Sequence, residues 1–322
     1  MKNNSNNLKV LLVCYVGAEI GIGHLSRLLA LAEVLKEKNN IISEFLIFGD
    51  LVKKKELSNF IVHNVLITDS FTIMIEDILK NKSFDGLIFD LYSKRSFNNL
   101  DIFFKKLKDK NISLIGIDSL VDYCDILDIL WMPSFNFDHS KHKKCTALIK
   151  SGWDSFLIRK RFENKIWEPG SKVLILTGGS DISNLGKTLP IELDRLLSIN
   201  TQIHWVKGPF SCEPILPKKC KLSWVIHDSP DEIDELIIQS DYIMTVFGVS
   251  FFEALQYGIP TVVFSPYGKK DDDEMKALKK EDIAMIADNS KSAVNNLFDL
   301  MNNNELARKY SFLPLFVGCD WL

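Results

Sequence analysis

Residues 9–38 read KVLLVCYVGAEIGIGHLSRLLALAEVLKEK, and this stretch decides the fold class. The run Val10–Tyr15 is apolar throughout, which is typical of a buried strand, and the residues after Arg27 are apolar at helical spacing. Between them lies the turn Gly21-Ile22-Gly23-His24. Glycines let a backbone pass close to a ligand, and the free N–H groups of a first helical turn point toward it. The stretch therefore predicts a strand–turn–helix unit with His24 at a ligand site. The alternative is a tight turn with a helix-capping histidine.

The turn differs from a dinucleotide-binding fingerprint. The order Gly21, Gly23, His24, Arg27 offers no third glycine to let the helix pack closely on its strand. A Gly-x-Gly turn by itself is weak evidence, so the rest of the chain must identify the ligand.

Length and composition predict a two-domain globular protein of ordinary surface chemistry. The chain has 322 residues, of which 46% are hydrophobic and 25% charged, and its net charge is −3. That length suggests two domains of about 150 residues each. Without a basic excess, nucleic acid is not expected as a partner. The six cysteines form no Cys-x-x-Cys pair, so we expect reduced thiols in a cytoplasmic protein, with no metal site.

The N-terminal apolar run is too short for a signal peptide core or a membrane span. We therefore expect no membrane-spanning segment, and a monomer or weak homo-oligomer.

Short apolar runs alternate with helical patterns along the first half of the chain. Continuous apolar strands separated by amphipathic helices predict a parallel sheet covered on both faces. The predicted strands are Lys9–Tyr15, Ser43–Phe48, Val62–Ile67, Gly86–Phe89, Ser113–Ile117 and Ile126–Trp131. The predicted helices are His24–Lys38, Phe71–Lys80 and Phe97–Lys108.

A basic stretch and a Glu-Pro-Gly triplet interrupt this rhythm between residues 136 and 170, and strands and helices restart at Lys172. We predict a Rossmann-like domain over 1–150, a connection over 151–170 and a second Rossmann-like domain over 171–322. In such α/β folds, ligands bind at the carboxyl ends of the strands, in a cleft that two domains would share.

Two further glycine turns are expected to face the ligand. Gly178-Gly179-Ser180-Asp181 follows a predicted strand and offers N–H groups and a hydroxyl to a phosphate, or a plain N-cap at Ser180 or Asp181. A helix after Gly248 would direct its dipole at an anion. Glu253, three residues after Ser250, could accept two hydrogen bonds from ribose hydroxyls or could form a capping box with Ser250.

Taken in order, these motifs resemble the UDP-sugar hydrolases of pseudaminic acid biosynthesis, the PseG/SpsG family, which share the GT-B architecture of MurG-type glycosyltransferases. The order is Gly-x-Gly-His-x-x-Arg, then Gly-Gly-Ser-Asp, then Ser-x-x-Glu-Ala-Leu before Gly-Ile-Pro. Phe89-Asp90-Leu91-Tyr92 is similar to an Asp-x-Tyr region of the family, and Ile117-Asp118-Ser119 lies where the family has a strand followed by acidic residues. The resemblance covers about Val10 to Gly258.

The resemblance implies hydrolysis of a UDP-linked diacetamido trideoxy hexose to UDP and free sugar, with no cofactor and no essential metal. It implies that His24 assists the attacking water and that Asp90 or Tyr92 orients water or sugar hydroxyls. Arg27 would contact a phosphate or hold the loop. The nucleotide would be bound by a larger set: Gly178, Gly179 and Ser180 with Gly248 and Ser250 at the diphosphate, Glu253 at the ribose, and the backbone near Ile226 and His227 at the uracil edge.

One region departs from the family pattern. Residues 266–274 carry Lys269-Lys270 and then an acidic run, Asp271–Glu274, without the glutamine that these families have after the preceding strand. The acidic run also suits the first turn of a helix. Two alternatives therefore remain: a GT-B glycosyltransferase with a UDP- or CMP-sugar donor, and a nucleotide-sugar-binding protein without catalysis.

Overall fold

The computed structural model describes residues 7–91, 99–164 and 166–311. These residues divide into two compact units, with the boundary between Ile158 and Arg159. The boundary lies within the stretch 151–170.

The first unit is a parallel α/β layer structure. Its described residues form a seven-stranded sheet in the order β3-β2-β1-β4-β5-β6-β7. The strands are β1 (Lys9–Val16), β2 (Ile42–Gly49), β3 (Ile61–Val65), β4 (Gly86–Asp90), β5 (Ser113–Ile117), β6 (Ile129–Trp131) and β7 (Leu148–Lys150). The helices are α1 (Gly23–Asn39), α2 (Phe71–Asn81) and α3 (Leu100–Asp109).

The order of the strands reverses at β1, and this reversal positions a site. β1 pairs with β2 on one side and with β4 on the other, where Cys14 lies opposite Asp90. Asp90 in turn lies opposite Ile117 of β5. The connections from β1 and β4 therefore leave the same sheet edge in opposite directions, which opens a crevice there.

The second unit repeats this architecture. Its six-stranded parallel sheet has the order β10-β9-β8-β11-β12-β13 among the described residues. The strands are β8 (Lys172–Leu176), β9 (Gln202–Lys207), β10 (Ser223–Asp228), β11 (Tyr242–Val246), β12 (Thr261–Phe264) and β13 (Met285–Ala287). The helices are α4 (Leu189–Leu196), α5 (Ile233–Gln239), α6 (Val249–Gln256), α7 (Asp272–Glu281), α8 (Ser290–Asn302) and α9 (Asn304–Ser311).

Both faces of the second sheet are buried, as continuous apolar strands require. In β8, Val173 and Ile175 belong to one hydrophobic cluster, with Trp205 and Leu297. Leu174 and Leu176 belong to another, with Ile237 and Tyr257. Alternate side chains along one strand therefore serve two helical layers, because successive residues of a strand point to opposite faces.

The acidic run of residues 271–274 begins a helix. α7 begins at Asp272, and its first turn contains Asp272, Asp273 and Glu274. Carboxylates stabilise a helix at this end, where the unpaired N–H groups carry partial positive charge.

Candidate active site

The glycine turn after β1 is built from the backbone. The N–H of Gly21 donates to the carbonyl of Gly17 at 2.7 Å, and Gly21 has a φ of +78°, a conformation that favours glycine. The helix α1 begins at Gly23, with Ile22 as its N-cap and no side chain capping it. His24 is therefore not a capping residue, and its side chain is free for another partner.

That partner is Asp90, the last residue of β4. His24 Nδ1 lies 2.5 Å from Asp90 Oδ1. Arg27, one turn along α1, donates from Nε to Asp90 Oδ2 at 2.8 Å and from Nη2 to Oδ1 at 2.7 Å. Its Nη1 donates to Asp118 Oδ2 at 3.2 Å. Three separate elements thus bring His24, Arg27, Asp90 and Asp118 together, and the sequence had assigned no role to Asp118.

The environment of Asp90 keeps it ionised. Its side chain is fully buried, which by itself raises a carboxyl pKa, but Arg27 and His24 hold the pKa of Asp90 below its ordinary value. Burial works against the charge of Arg27, yet Asp90 and Asp118 raise its pKa further above its usual range. The nearby Cys14 thiol has a pKa well above normal, chiefly through burial and then through Asp90. Among these groups, Cys14 is therefore neutral while Asp90 and Arg27 are charged.

The ionised Asp90 fixes the tautomer of His24. A carboxylate accepts hydrogen bonds and cannot donate them, so the 2.5 Å contact requires a proton on His24 Nδ1. In the neutral imidazole, Nε2 then carries the lone pair and can accept a proton. Arg27 Nη2 lies 3.3 Å from Nδ1, but both atoms are donors, so this approach is a contact rather than a hydrogen bond. The arrangement can support a general base.

Tyr92 lies outside the described residues, so its predicted role stays a prediction. The chain before it is described as far as Leu91, whose carbonyl accepts from Ser119 Oγ at 2.5 Å.

The second glycine turn is tightly packed. Gly178 has a φ of +84°. A Cβ added to Gly208 would lie 2.5 Å from the carbonyl oxygens of both Gly178 and Gly179, so Gly208 closes the turn from the end of β9. The side chain of Asp181 accepts from the N–H groups of Leu185 and Gly186, both at 2.8 Å, at the start of the short 3-10 turn Leu185–Lys187. The N-cap of that turn is Asn184, so neither Ser180 nor Asp181 occupies an N-cap position, and Ser180 is half-buried. Gly208 was not predicted as a site residue, although the Gly208-Pro209 pair after a strand is a signal that could have indicated it.

The third glycine turn, at Gly248, does not form the capping box that was its alternative prediction. The helix α6 begins at Val249, with Gly248 as its N-cap and no side-chain cap. Ser250 is therefore inside the helix, and the predicted Ser250–Glu253 capping box does not form at this N-terminus. Both side chains are half-buried on the first two turns of α6.

His227 has a side-chain partner that the sequence did not indicate. Its Nε2 lies 3.0 Å from Nδ1 of His204 on the neighbouring strand β9, and the rings stack with an interplanar angle of 20°. Burial lowers the pKa of both imidazoles, and that of His204 is lowered further by His227 and Lys172. Ile226 faces the opposite side of β10 and packs against the core.

Within 7–91, 99–164 and 166–311, no three His, Cys, Asp or Glu side chains are grouped so that they could hold a metal ion. Over the same ranges, no helix has both the length and the apolar character needed to cross a membrane.

Comparison with known proteins gives the fold a context. No protein-family model matches the chain. An uncharacterized protein of Methanocaldococcus jannaschii is 29% identical over 283 residues, which cover 80% of this chain. The chain spans only 55% of the length of that relative.

Solved structures match most of the chain at low identity. UGT2 of Phytolacca americana, complexed with UDP-2fluoro-glucose and pterostilbene, gives a TM-score of 0.63 at 10% identity and covers 94% of this chain and 93% of its own. MurG of Acinetobacter baumannii gives a TM-score of 0.60 at 15% identity and covers 94% of this chain and 93% of its own. The UDP co-structure of S. aureus MnaA gives a TM-score of 0.58 at 10% identity and covers 94% of this chain and 90% of its own. The chain therefore has the α/β fold of GT-B proteins, with two Rossmann-like domains.

Proposed function

We propose that this protein cleaves a UDP-linked amino sugar by water attack at the anomeric carbon, releasing UDP and the free sugar. His24 is the general base. The substrate class, a diacetamido trideoxy hexose, comes from the family that the motifs resemble.

The observation that carries the proposal is the 2.5 Å contact between His24 Nδ1 and the buried, ionised Asp90. It leaves Nε2 of His24 as a proton acceptor. In the reaction, the water oxygen forms a bond to the anomeric carbon, the bond from that carbon to the UDP oxygen breaks, and Nε2 takes the water proton. The Asp90 carboxylate then stabilises the imidazolium, a general-base arrangement typically worth about 10²–10⁴ in rate.

The second unit supplies the features that suit UDP. The turn at Gly178, Gly179 and Ser180 and the helix start after Gly248 present N–H groups to the diphosphate, and we assign the ribose to Glu253 and the uracil edge to the backbone near Ile226 and His227. Stabilisation of the departing diphosphate by such fixed dipoles is the main electrostatic contribution expected. Structures of similar fold support this assignment, since UGT2 of Phytolacca americana was solved with a UDP-sugar analogue and S. aureus MnaA with UDP.

A glycosyltransferase is the second candidate, because several structures of similar fold are named as transferases. The two candidates share the base and the leaving group and differ only in the nucleophile. A transferase would release UDP or CMP only in the presence of an acceptor hydroxyl.

The test is nucleotide release from a panel of UDP- and CMP-linked amino sugars with no acceptor added. We expect UDP release that falls about 10²–10⁴-fold in His24→Asn. The matched control is His139→Asn, which alters an exposed histidine of the first unit bonded to Ser151 and should leave the rate unchanged.

Three outcomes would contradict hydrolysis by His24. Release that persists in His24→Asn would remove the histidine from the chemistry. Release that requires an added acceptor would establish the transferase. Nucleotide-sugar binding without release under either condition would indicate a binding protein.

A further inference from the structure

We propose that Arg27 and Asp118 are positioning residues that act on the base through Asp90, and that Arg27 is not a phosphate ligand. The kinetic consequences of this inference rest on the proposed function, whereas its structural consequences rest on geometry alone.

Three of the five N–H groups of the Arg27 guanidinium donate to carboxylates. Its Nε–Nη2 edge, an edge that could grip a phosphate in bidentate fashion, is taken by the two oxygens of Asp90 at 2.8 and 2.7 Å. Its Nη1 donates to Asp118 at 3.2 Å. The Arg27 side chain is only 13% exposed. To grip a phosphate through its Nε–Nη2 edge, Arg27 would have to release a fully buried carboxylate, which leaves an uncompensated charge inside the protein.

Asp118 is held in an unusual conformation that supports this pairing. It follows the last residue of β5 and has a φ of +63°, in the left-handed region that non-glycine residues rarely adopt. Its N–H donates to the carbonyl of Trp131 at 2.9 Å, which anchors the turn to the next strand. Such strain persists where the surroundings enforce it, and it is common at functional sites. Here it accompanies a carboxylate in contact with Nη1 of Arg27.

The geometry therefore forms a relay across three strand ends. Asp118 fixes Arg27, Arg27 fixes both oxygens of Asp90, and Asp90 holds His24 Nδ1 in its protonated form. Asp118 is half-exposed, with 50% of its side chain accessible, so its substitution removes a charge without opening the core.

The experiment compares Arg27→Gln, Arg27→Lys and Asp118→Asn with the full-length wild type. Asparagine tolerates the left-handed backbone, so Asp118→Asn tests the carboxylate rather than the turn. We expect kcat to fall about 10-fold or more in Arg27→Gln and Asp118→Asn, with KM within about threefold. Arg27→Lys keeps the charge but not the two contacts with Asp90, and we expect it to lose kcat as well. Asp122→Asn, which removes an exposed carboxylate four residues further along the chain, should match the wild type.

A second readout does not depend on turnover. Nitrogen-detected NMR of the imidazoles, with the His24 signals assigned by their loss in His24→Asn, reports the tautomer and the pKa directly. We expect an Nδ1–H tautomer in the wild type and a mixture of tautomers in Arg27→Gln and Asp118→Asn.

Each idea can then fail separately. If the wild type releases no UDP but has the Nδ1–H tautomer, and the variants lose that tautomer, the proposed function is refuted and the relay is retained. A raised KM and weaker UDP inhibition in Arg27→Gln, with the tautomer unchanged, would show Arg27 to be a phosphate ligand and overturn the relay.

Discussion

His204 and His227 form a stacked pair of imidazoles on neighbouring strands. They join β9 to β10 through a 3.0 Å contact, and burial lowers the pKa of each. A histidine whose pKa is lowered by folding binds protons more readily in the unfolded chain. Its contribution to stability is therefore complete above its unfolded pKa of about 6.5 and is lost as the pH falls below that value.

We accordingly predict that the second unit loses stability as the pH falls from about 6.5 toward 5. In His204→Gln, which cannot titrate, the midpoint of urea unfolding should depend less steeply on pH over that window. His139→Gln, an exposed histidine, should keep the slope of the wild type. Unfolding is followed by the fluorescence of the second unit's tryptophans. Equal slopes for all three proteins would show that the His204–His227 pair does not carry this dependence.

At the scale of elements, the tightest constraint lies where β9 ends. Gly208 packs so closely on the turn at Gly178 and Gly179 that an added Cβ would lie 2.5 Å from two carbonyl oxygens. Those atoms are backbone and cannot rotate away, so a methyl group must displace the turn. The N–H of Phe210 donates to the Gly179 carbonyl at 3.0 Å, so the same displacement disturbs the loop from both sides.

We therefore predict that Gly208→Ala weakens UDP binding at least 10-fold while the protein remains folded, because the displaced turn no longer presents its N–H groups to the diphosphate. The measurement is calorimetric titration with UDP. Gly86→Ala is the control, since a Cβ there meets only ordinary contacts of 3.4 Å and longer. Unchanged affinity in Gly208→Ala would remove the Gly178–Gly179 turn from the nucleotide site.

The sequence predicted the long elements better than the short ones. The strands β1, β2 and β5 agree with their predicted ranges to within a residue or two, because each is a continuous apolar run between polar turns. β6 is shorter than predicted, since Ile126 packs on the core before the strand begins. β7 and β13 have three residues each, too few to show a pattern, and neither was predicted.

Local sequence also could not reveal partners that are distant along the chain. The glycine turn and His24 were visible because they are contiguous, but the contact of His24 with Asp90 spans 66 positions. Arg27 and Asp118 are 91 positions apart, and their pairing depends on the order of β1, β4 and β5 in the sheet. Capping boxes and N-caps were equally ambiguous, since Ser250 has the right spacing to Glu253 but lies inside α6 rather than before it.

At the scale of the whole molecule, each unit contains what a domain needs to fold. The first unit buries a cluster that includes Leu11, Phe89 and Phe104, and the second buries one that includes Trp205 and Leu297. Each cluster is built around its own parallel sheet. Because a domain's stability depends on its own core, a ligand held by one unit stabilises that unit first.

We therefore predict that UDP alone slows hydrogen exchange in the second unit and leaves the first unit unchanged, because the proposed nucleotide contacts all belong to residues after Arg159. A ligand at 100 times its Kd stabilises the state that binds it by about 2.7 kcal/mol, equivalent to about a 100-fold slowing of exchange by global opening of that unit. The measurement is hydrogen exchange of the chain followed by mass spectrometry, with Gly208→Ala as the control that should show at least about 10-fold less protection at the same UDP concentration. A UDP-linked sugar should add protection around Gly21–Arg27, where the proposed base lies. Protection by UDP confined to the first unit would reverse the assignment of the two units, and protection of neither would leave the second unit without a nucleotide.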